Sequence, residues 1–242
     1  TGEHARFLAV VGPSGSGKSS VVRAGLVPAL KRGALPNSQN WYVLEMFPSA
    51  QPIHELAQAL LRIAVDPPNN LVEPLTLDAH GLLRVVDRVV PGGDETEVVL
   101  VLDQFEELFT LVEDEQVRTH FLDTLISAVT DPYSRVRVIV TLRADFYDRP
   151  LLYPGFSALM KERTEVVVPL TPEELKEAIV SPAERAGLRV DPELVEAIVK
   201  GEKEAPNLID GAVLGRTIGG VQAYFEADAV AAQFGRPIHV GE

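Results

Sequence analysis

The feature that constrains this chain most is an eight-residue motif that follows a short apolar run. The stretch FLAVVGPSGSGKSSVVRAGL extends from Phe7 to Leu26, and its centre, Gly12 to Ser19, fits the pattern G-x-x-x-x-G-K-[ST]. Glycines in such a loop let backbone N–H groups converge on phosphate oxygens, and the following helix points its positive dipole end at the same anion. The motif therefore predicts a phosphate-binding loop between a strand and a helix.

The residue types in this loop suit separate roles in binding a nucleotide. We expect the Lys18 ammonium to reach the β- and γ-phosphate oxygens and to have no other partner, and the Ser19 hydroxyl to serve Mg²⁺. A nucleophile elbow around Ser14 is excluded, because G-x-S-x-G would need glycine where Ser16 stands. A plain Gly/Ser turn is the alternative interpretation. The residues expected to bind the phosphates are Gly12, Pro13, Ser14, Gly15, Ser16, Gly17, Lys18, Ser19 and Ser20.

Composition narrows the class of protein. With 242 residues, 46% of them apolar, the chain can form one large α/β domain, or one such domain and a small satellite domain. A net charge of −13 argues against direct binding of nucleic acid. No cysteine is present, which excludes disulfides and thiol catalysis and agrees with the cytoplasmic location that we expect. No apolar run approaches the roughly 20 residues of a membrane span. The start at Thr1 without methionine predicts a truncated N-terminus.

Alternating apolar runs and helical patterns predict the architecture of residues 1–170. Apolar strands separated by helices are typical of a parallel sheet covered on both faces. The predicted strands are Arg6–Val11, Tyr42–Met46, Val98–Leu102, Val136–Leu142 and Glu165–Val168. The predicted helices are Lys18–Leu30, Ile53–Ala64, Asp78–Val90 and Glu115–Thr130. We therefore expect an α/β nucleotide-binding domain with a five-stranded parallel sheet.

After Val168 the pattern changes from strands to helix starts. Thr171-Pro172-Glu173-Glu174 combines an N-cap, a first-turn proline and a capping-box glutamate, and Asp191-Pro192 opens a second helix similarly. We expect a small helical domain over residues 171–242, which becomes irregular beyond residue 201 and is truncated.

A carboxylate follows the most apolar of the predicted strands. Asp103 comes directly after Val98–Leu102, which places it at the carboxyl edge of the sheet, where ligands bind in open α/β folds. It is a candidate to hold Mg²⁺, in part through water. The alternative role is N-cap of a helix over Glu106–Val112.

Two further acids follow Asp103. Glu106 is the better candidate to orient or activate the attacking water, because one helical turn brings it back toward the phosphate, and Glu107 is the weaker one. Both could instead be first-turn acids that complement a helix dipole.

An arginine follows the fourth predicted strand. Arg143 can sense or stabilise the charge of a γ-phosphate at the mouth of a parallel sheet. Alternatively it pairs with Asp145 or Glu106 and holds the loop in place.

Four blocks of this sequence together resemble the novel-STAND NTPases, relatives of NACHT and AP-ATPase domains. The blocks are VVGPSGSGKSSVVRAGLVPAL, VLVLDQFEELFT, VIVTLRADFYDRPL and VVPLTPEELKEAIVSPAERAGLRVDPELVEAIV, within residues 7–199. The resemblance implies Walker A roles for Lys18 and Ser19, a Walker B role for Asp103, a catalytic role for Glu106 and a sensor role for Arg143. It also implies the strand order 5-1-4-3-2 and a following helical domain.

Two departures from the family pattern concern base recognition. Only about five residues precede the first strand, where the family has a segment that helps enclose the base. Beyond Val199 the G-x-P-type stretch is represented only by Pro206, in poor register. Adenine recognition is therefore unassigned.

The resemblance implies a signalling switch that binds ATP and Mg²⁺ and slowly hydrolyses ATP to ADP. Expected partners are repeat or effector domains of the same full-length protein and further copies of the chain in an ATP-bound homo-oligomer. A P-loop small-molecule kinase and a non-hydrolysing, nucleotide-bound scaffold are the alternatives.

Overall fold

A computed structural model describes residues 6–91, 96–185, 187 and 189–204. The chain divides into two compact units, of which the first combines the residues up to Val11 with Leu30–Val166. The second combines Gly12–Ala29 with the residues from Val167 onward. The predicted domain boundary near residue 170 stays a prediction.

The strands form a single parallel sheet. In chain order they are β1 Phe7–Gly12, β2 Tyr42–Met46, β3 Val98–Leu102, β4 Val136–Arg143 and β5 Thr164–Val166. Their order across the sheet is β2-β3-β4-β1-β5. The expected five-stranded parallel sheet and the order 5-1-4-3-2, read from the other edge, are confirmed.

The register of the central strands determines which residues meet at the carboxyl edge. Leu102, the last residue of β3, is aligned with Met46 of β2 and with Val140 of β4. Strand β4 continues to Arg143, so its end runs beside the segment that follows β3. All five residues of β3 are buried, as expected for a central strand in the sheet.

The fifth strand differs from the prediction. Glu165–Val168 was expected to be a buried strand, whereas β5 covers Thr164–Val166 and the Val166 side chain is 67% exposed. The reason is that β5 pairs with β1 alone and forms the edge of the sheet. An apolar side chain on an edge strand can stay exposed, so the apolar residues of this segment did not indicate burial.

The helices match the sequence patterns best where the patterns are long. Glu115–Thr130 is helical with the predicted bounds, two other predicted helices are shorter, and the predicted helix Lys18–Leu30 contains a π-helical stretch at Val21–Leu26. The short helices at Val72–Thr76, Asp148–Leu151 and Pro154–Glu162 were not predicted. The α-helices are α1 Lys18–Ser20, α2 Val27–Lys31, α3 Pro52–Leu61, α4 Val72–Thr76, α5 Gly81–Val89, α6 Glu107–Thr110, α7 Glu115–Thr130, α8 Asp148–Leu151, α9 Pro154–Glu162, α10 Pro172–Arg185 and α11 Pro192–Glu204.

An aromatic cluster anchors the chain just beyond β3. The Phe156 ring of α9 makes an edge-on contact with Phe7 at 5.3 Å between centroids and stacks on Phe105 at 5.4 Å. Phe105 is fully buried and also meets the Phe109 ring at 5.8 Å. Burial of such a ring contributes on the order of 2–3 kcal/mol, which holds the segment after β3 firmly.

The second unit contains α10 and α11, which pack against each other. A reciprocal capping box opens α10: the Thr171 amide donates to Glu174 Oε2 at 2.7 Å, and the Glu174 amide donates to Thr171 Oγ1 at 3.2 Å. Asp191 Oδ1 accepts from the Glu193 amide at 2.9 Å at the start of α11. Both predicted helix starts are confirmed.

Candidate functional site

Two glycines shape the loop between β1 and α1. Gly15 has φ 75° and Gly17 has φ 85°, in the left-handed region that glycine adopts readily. A Cβ at either position would meet no other atom within 4 Å, so the backbone on that side is open. The Ser16 amide donates to the Pro13 carbonyl at 3.3 Å and closes the turn between them. A non-glycine residue at 15 or 17 would therefore strain the backbone rather than clash.

Gly12 is required for a different reason. An ideal Cβ at this residue would lie 2.3 Å from the carbonyl oxygen of Val167 and 2.6 Å from Ser16 Oγ. Both contacts lie within the second unit. The start of the loop thus touches the chain that leads to α10, and only a residue without a side chain allows that approach.

Lys18 is the first residue of α1 and is 9% exposed. Its Nζ donates to the Pro13 carbonyl at 2.7 Å. The ammonium therefore contacts a residue of the predicted phosphate-binding loop itself. The expectation that Lys18 has no partner other than phosphates is wrong. A long cationic side chain this far from water needs an acceptor, and the loop carbonyl supplies it.

Asp103 lies at the carboxyl end of β3 and is 3% exposed. Its Oδ1 accepts from the Thr141 hydroxyl at 2.5 Å and from the Gln104 amide at 3.1 Å. The alternative role of N-cap is wrong, because α6 begins at Glu107 and its N-cap is Glu106. The buried carboxylate is held by its neighbour on β4 and by the next amide in the chain.

The chain turns sharply between Asp103 and Glu106. Gln104 has φ 52°, a left-handed conformation that is uncommon for a residue other than glycine. The next amide, of Phe105, donates to the Thr141 carbonyl at 2.8 Å, and its ring enters the core. The buried Phe105 ring and the hydrogen bond of its amide hold this turn in place. Asp103 and Glu106 precede and follow the turn in the chain.

The two glutamates after this turn face different neighbours. Glu106 Oε2 accepts from the Arg143 amide at the end of β4, at 3.3 Å. Glu107 Oε2 accepts from the Ser49 amide, in the segment after β2, at 3.2 Å. In the sheet, β1 lies beyond β4, and β2 lies on the opposite side of β3. Glu106 is therefore directed toward the side on which β1 ends, and Glu107 away from it.

Arg143 makes a two-point ion pair with Asp145. Its Nε donates to Oδ1 at 3.1 Å and its Nη2 to Oδ2 at 2.6 Å, and the guanidinium carbon lies 5.5 Å from the centre of the Phe146 ring. The hydrogen bonds to Asp145 raise the pKa of Arg143, with a smaller contribution in the same direction from Glu106. The structure contains the Asp145 pairing that was the alternative to phosphate sensing, and the side chain remains 41% exposed.

Sequence reasoning missed Thr141. This residue of β4 is 1% exposed and contacts Asp103 through its hydroxyl and Phe105 through its carbonyl. A signal was available, since Thr141 is a polar residue inside an otherwise apolar run, two positions before Arg143. A threonine in an apolar run fits a strand through its β-branched shape, so the pattern alone gives no role to its hydroxyl.

Two of the predicted site residues carry oxygen atoms that fit Mg²⁺, one in each compact unit. Asp103 offers a carboxylate and Ser19 a hydroxyl, and hard oxygen ligands are what Mg²⁺ prefers. Among the described residues no group of three or more His, Cys, Asp or Glu side chains is arranged to hold a metal ion.

A parallel sheet of this order, with the loop after β1 and the acid after β3, defines the P-loop NTPase fold. The chain belongs to the family described as Novel STAND NTPase 1, whose model matches residues 1–210.

Two solved structures share the fold at low sequence identity. The Walker-type ATPase PABY2304 of Pyrococcus abyssi is 15% identical with a TM-score of 0.53, over 95% of this chain and 63% of that one. The Aeropyrum pernix ORC2 protein, described as ADPNP-ADP complexes, is 14% identical with a TM-score of 0.50, over 96% of this chain and 63% of that one. This chain therefore spans less than two thirds of either protein.

No curated protein matches it. None of the helices in the described ranges has the length and apolar character to span a bilayer.

Proposed function

We propose that this chain binds ATP with Mg²⁺, hydrolyses it slowly to ADP, and forms the nucleotide-dependent core of a signalling switch. Membership of an NTPase family supports the general activity. The observation that carries the proposal is the loop after β1, in which Gly15 and Gly17 adopt left-handed backbone conformations ahead of a helix that begins at the buried Lys18. This combination suits phosphate oxygens, which accept hydrogen bonds from the loop amides.

Lys18 is the residue whose contacts change on binding. Its Nζ donates to the Pro13 carbonyl, and a phosphate oxygen with a full negative charge is a stronger acceptor than a neutral carbonyl. In the proposed complex the ammonium donates to the β- and γ-phosphate oxygens. Its burial limits competition from water and so strengthens that contact.

Ser19 and Asp103 are the residues that we assign to Mg²⁺. When bound, Mg²⁺ neutralises the charge that develops on the β- and γ-phosphate oxygens. The chain contributes a hydroxyl from α1 and a carboxylate whose Oδ1 is already held by hydrogen bonds. That restraint lowers the loss of side-chain freedom on metal binding.

Glu106 is the proposed general base. Its carboxylate accepts a proton from the attacking water as the water oxygen bonds to the γ-phosphorus and the bond to the leaving ADP oxygen breaks, which yields ADP and inorganic phosphate. The Arg143 amide holds Oε2 of Glu106, and the Arg143 side chain is the proposed reader of the γ-phosphate. Glu107 is engaged by Ser49 on the other side of β3, which argues against it as the base.

The switch follows from the single group that distinguishes ATP from ADP. A nucleotide shifts a conformational equilibrium only through different affinities for the two arrangements, and the γ-phosphate is the only source of such a difference. We propose that the helices after residue 170, repeat or effector domains of the same full-length protein, and further copies of the chain respond to it.

Identification of the nucleotide that co-purifies with the chain, followed by single-turnover hydrolysis with ATP and Mg²⁺, tests this proposal. Release of inorganic phosphate without any acceptor molecule supports the hydrolase. Phosphate transfer that requires an added hydroxyl compound would instead identify a kinase. Retention of intact ATP over a single turnover would identify a nucleotide-bound scaffold, and absence of any nucleotide affinity would overturn the proposal altogether.

A further inference from the structure

We infer that Thr141 is a positioning residue for Asp103, whose hydroxyl holds the carboxylate in the orientation that serves Mg²⁺. This inference rests on the proposed function, since it assigns a role within the same site. Thr141 is uncharged and is distant in sequence from the phosphate loop.

Three atoms form a closed set of hydrogen bonds at the end of β3. Thr141 Oγ1 donates to Asp103 Oδ1 at 2.5 Å, and the Gln104 amide donates both to that same oxygen at 3.1 Å and to Thr141 Oγ1 at 3.0 Å. The Asp103 side chain can rotate only if Oδ1 gives up both donors. Each of the three groups thus restrains the other two.

The apolar surroundings of Thr141 make burial of its hydroxyl unfavourable unless the hydroxyl forms a hydrogen bond, as it does with Asp103. Thr141 is 1% exposed, and the residues on either side of it, Val140 and Leu142, are fully buried and apolar. A valine has almost the same shape and would fill the strand without a polar group to satisfy. The hydroxyl is therefore explained by its contact with Asp103 rather than by packing of the sheet.

Strand β4 holds both acids of the proposed site. Thr141 bonds to Asp103 with its side chain, and two residues later the Arg143 amide donates to Glu106 Oε2. The separation of the two acids is thus determined by two positions on one strand. Hydrogen-bonding partners of a metal-binding carboxylate typically change metal affinity by about 10- to 100-fold when removed.

The Mg²⁺ dependence of nucleotide affinity tests this role directly. The affinity of a fluorescent ADP analogue is titrated against free Mg²⁺ for the wild type, Thr141→Val and Thr141→Ser, with EDTA as the metal-free reference. We expect Thr141→Val to need about 10- to 100-fold more Mg²⁺ for the half-maximal effect. Its affinity in EDTA should equal that of the wild type, and Thr141→Ser, which keeps the hydroxyl, should restore the wild-type Mg²⁺ dependence.

A second comparison separates positioning from general stability. In an Asp103→Asn background, Thr141→Val should change the Mg²⁺ dependence no further, because the hydroxyl acts through the carboxylate. If Thr141→Val does not fold, Thr141→Ala replaces it throughout. A wild-type Mg²⁺ dependence in the folded variant overturns the inference and leaves the proposed function intact. Failure of the wild type to bind the analogue, or to respond to Mg²⁺, overturns both.

Discussion

The Arg143 guanidinium donates to both carboxylate oxygens of Asp145, two residues along the chain, at 3.1 and 2.6 Å. The pair is formed next to the Glu106 carboxylate, whose Oε2 accepts from the backbone amide of Arg143. The residue proposed to read the γ-phosphate is therefore oriented by an acid of its own loop. A planar guanidinium can retain one such partner and present its remaining N–H groups to a phosphate.

Replacement of Arg143 should abolish the difference between the two nucleotide states. Arg143→Ala is expected to bind ADP, while its complexes with ADP and with an ATP analogue become alike in scattering radius, hydrogen exchange and oligomeric state. The reason is that no other residue is proposed to distinguish the γ-phosphate. The comparison is made in a longer chain that carries the proposed repeat or effector domains.

Asp145→Asn is the matched control for that prediction. The amide keeps an acceptor oxygen for Arg143 but loses the charge, so a partial loss of the nucleotide-dependent difference is expected. If wild-type ADP and ATP-analogue complexes already behave identically, the switch proposal has no support.

Replacement of Lys18 should remove measurable nucleotide binding and leave the fold intact. A hydrogen bond to a charged group contributes about 1.5–3 kcal/mol, and Lys18 is proposed to make two of them. Loss of its bond to the Pro13 carbonyl, also a hydrogen bond of a charged group, should lower the free energy of unfolding by about 1.5–3 kcal/mol. Titration with a fluorescent nucleotide and circular dichroism measure the two effects for Lys18→Ala. The exposed Lys31, replaced in the same way, should bind like the wild type; unchanged affinity in Lys18→Ala would remove the phosphate-loop assignment.

Glu106→Gln should slow hydrolysis by about 100-fold or more while ATP remains bound, since a general base typically contributes at least that factor. Glu107→Gln, one residue away and bonded to Ser49, should retain most of the wild-type rate. Single-turnover measurements with saturating ATP compare the two. A slow Glu107 variant beside a normal Glu106 variant would reverse the assigned roles.

Gly12→Ala should destabilise the protein through a steric clash. The added methyl group would lie 2.3 Å from the Val167 carbonyl oxygen, and overpacking of this kind costs typically about 1–3 kcal/mol. Gly15→Ala meets no atom within 4 Å but must adopt φ 75°, at a cost of roughly 1–2 kcal/mol. Urea unfolding measures the loss of stability in each variant. Equal stability of Gly12→Ala and the wild type would contradict the close approach.

Much of the fold was predictable because its signals are local. The phosphate-loop pattern, the apolar run of β3 and the capping box of α10 each depend on neighbouring residues, and the strand order came with the family resemblance. The exposed edge strand β5 was not predictable, because Val166 is apolar in either environment and only its neighbours in the sheet determine its exposure.

The amino-acid sequence by itself determined which residue types stand at the ends of β1, β3 and β4: the lysine and glycines of the loop, Asp103 and Arg143. Tertiary structure alone decided their partners. Glu106 and Glu107 are adjacent and chemically identical, yet one accepts from Arg143 and the other from Ser49, because the turn at Gln104 directs them to opposite neighbours of β3. The contact between Thr141 and Asp103 likewise spans 38 residues of chain and exists only because β4 pairs with β3 in one register.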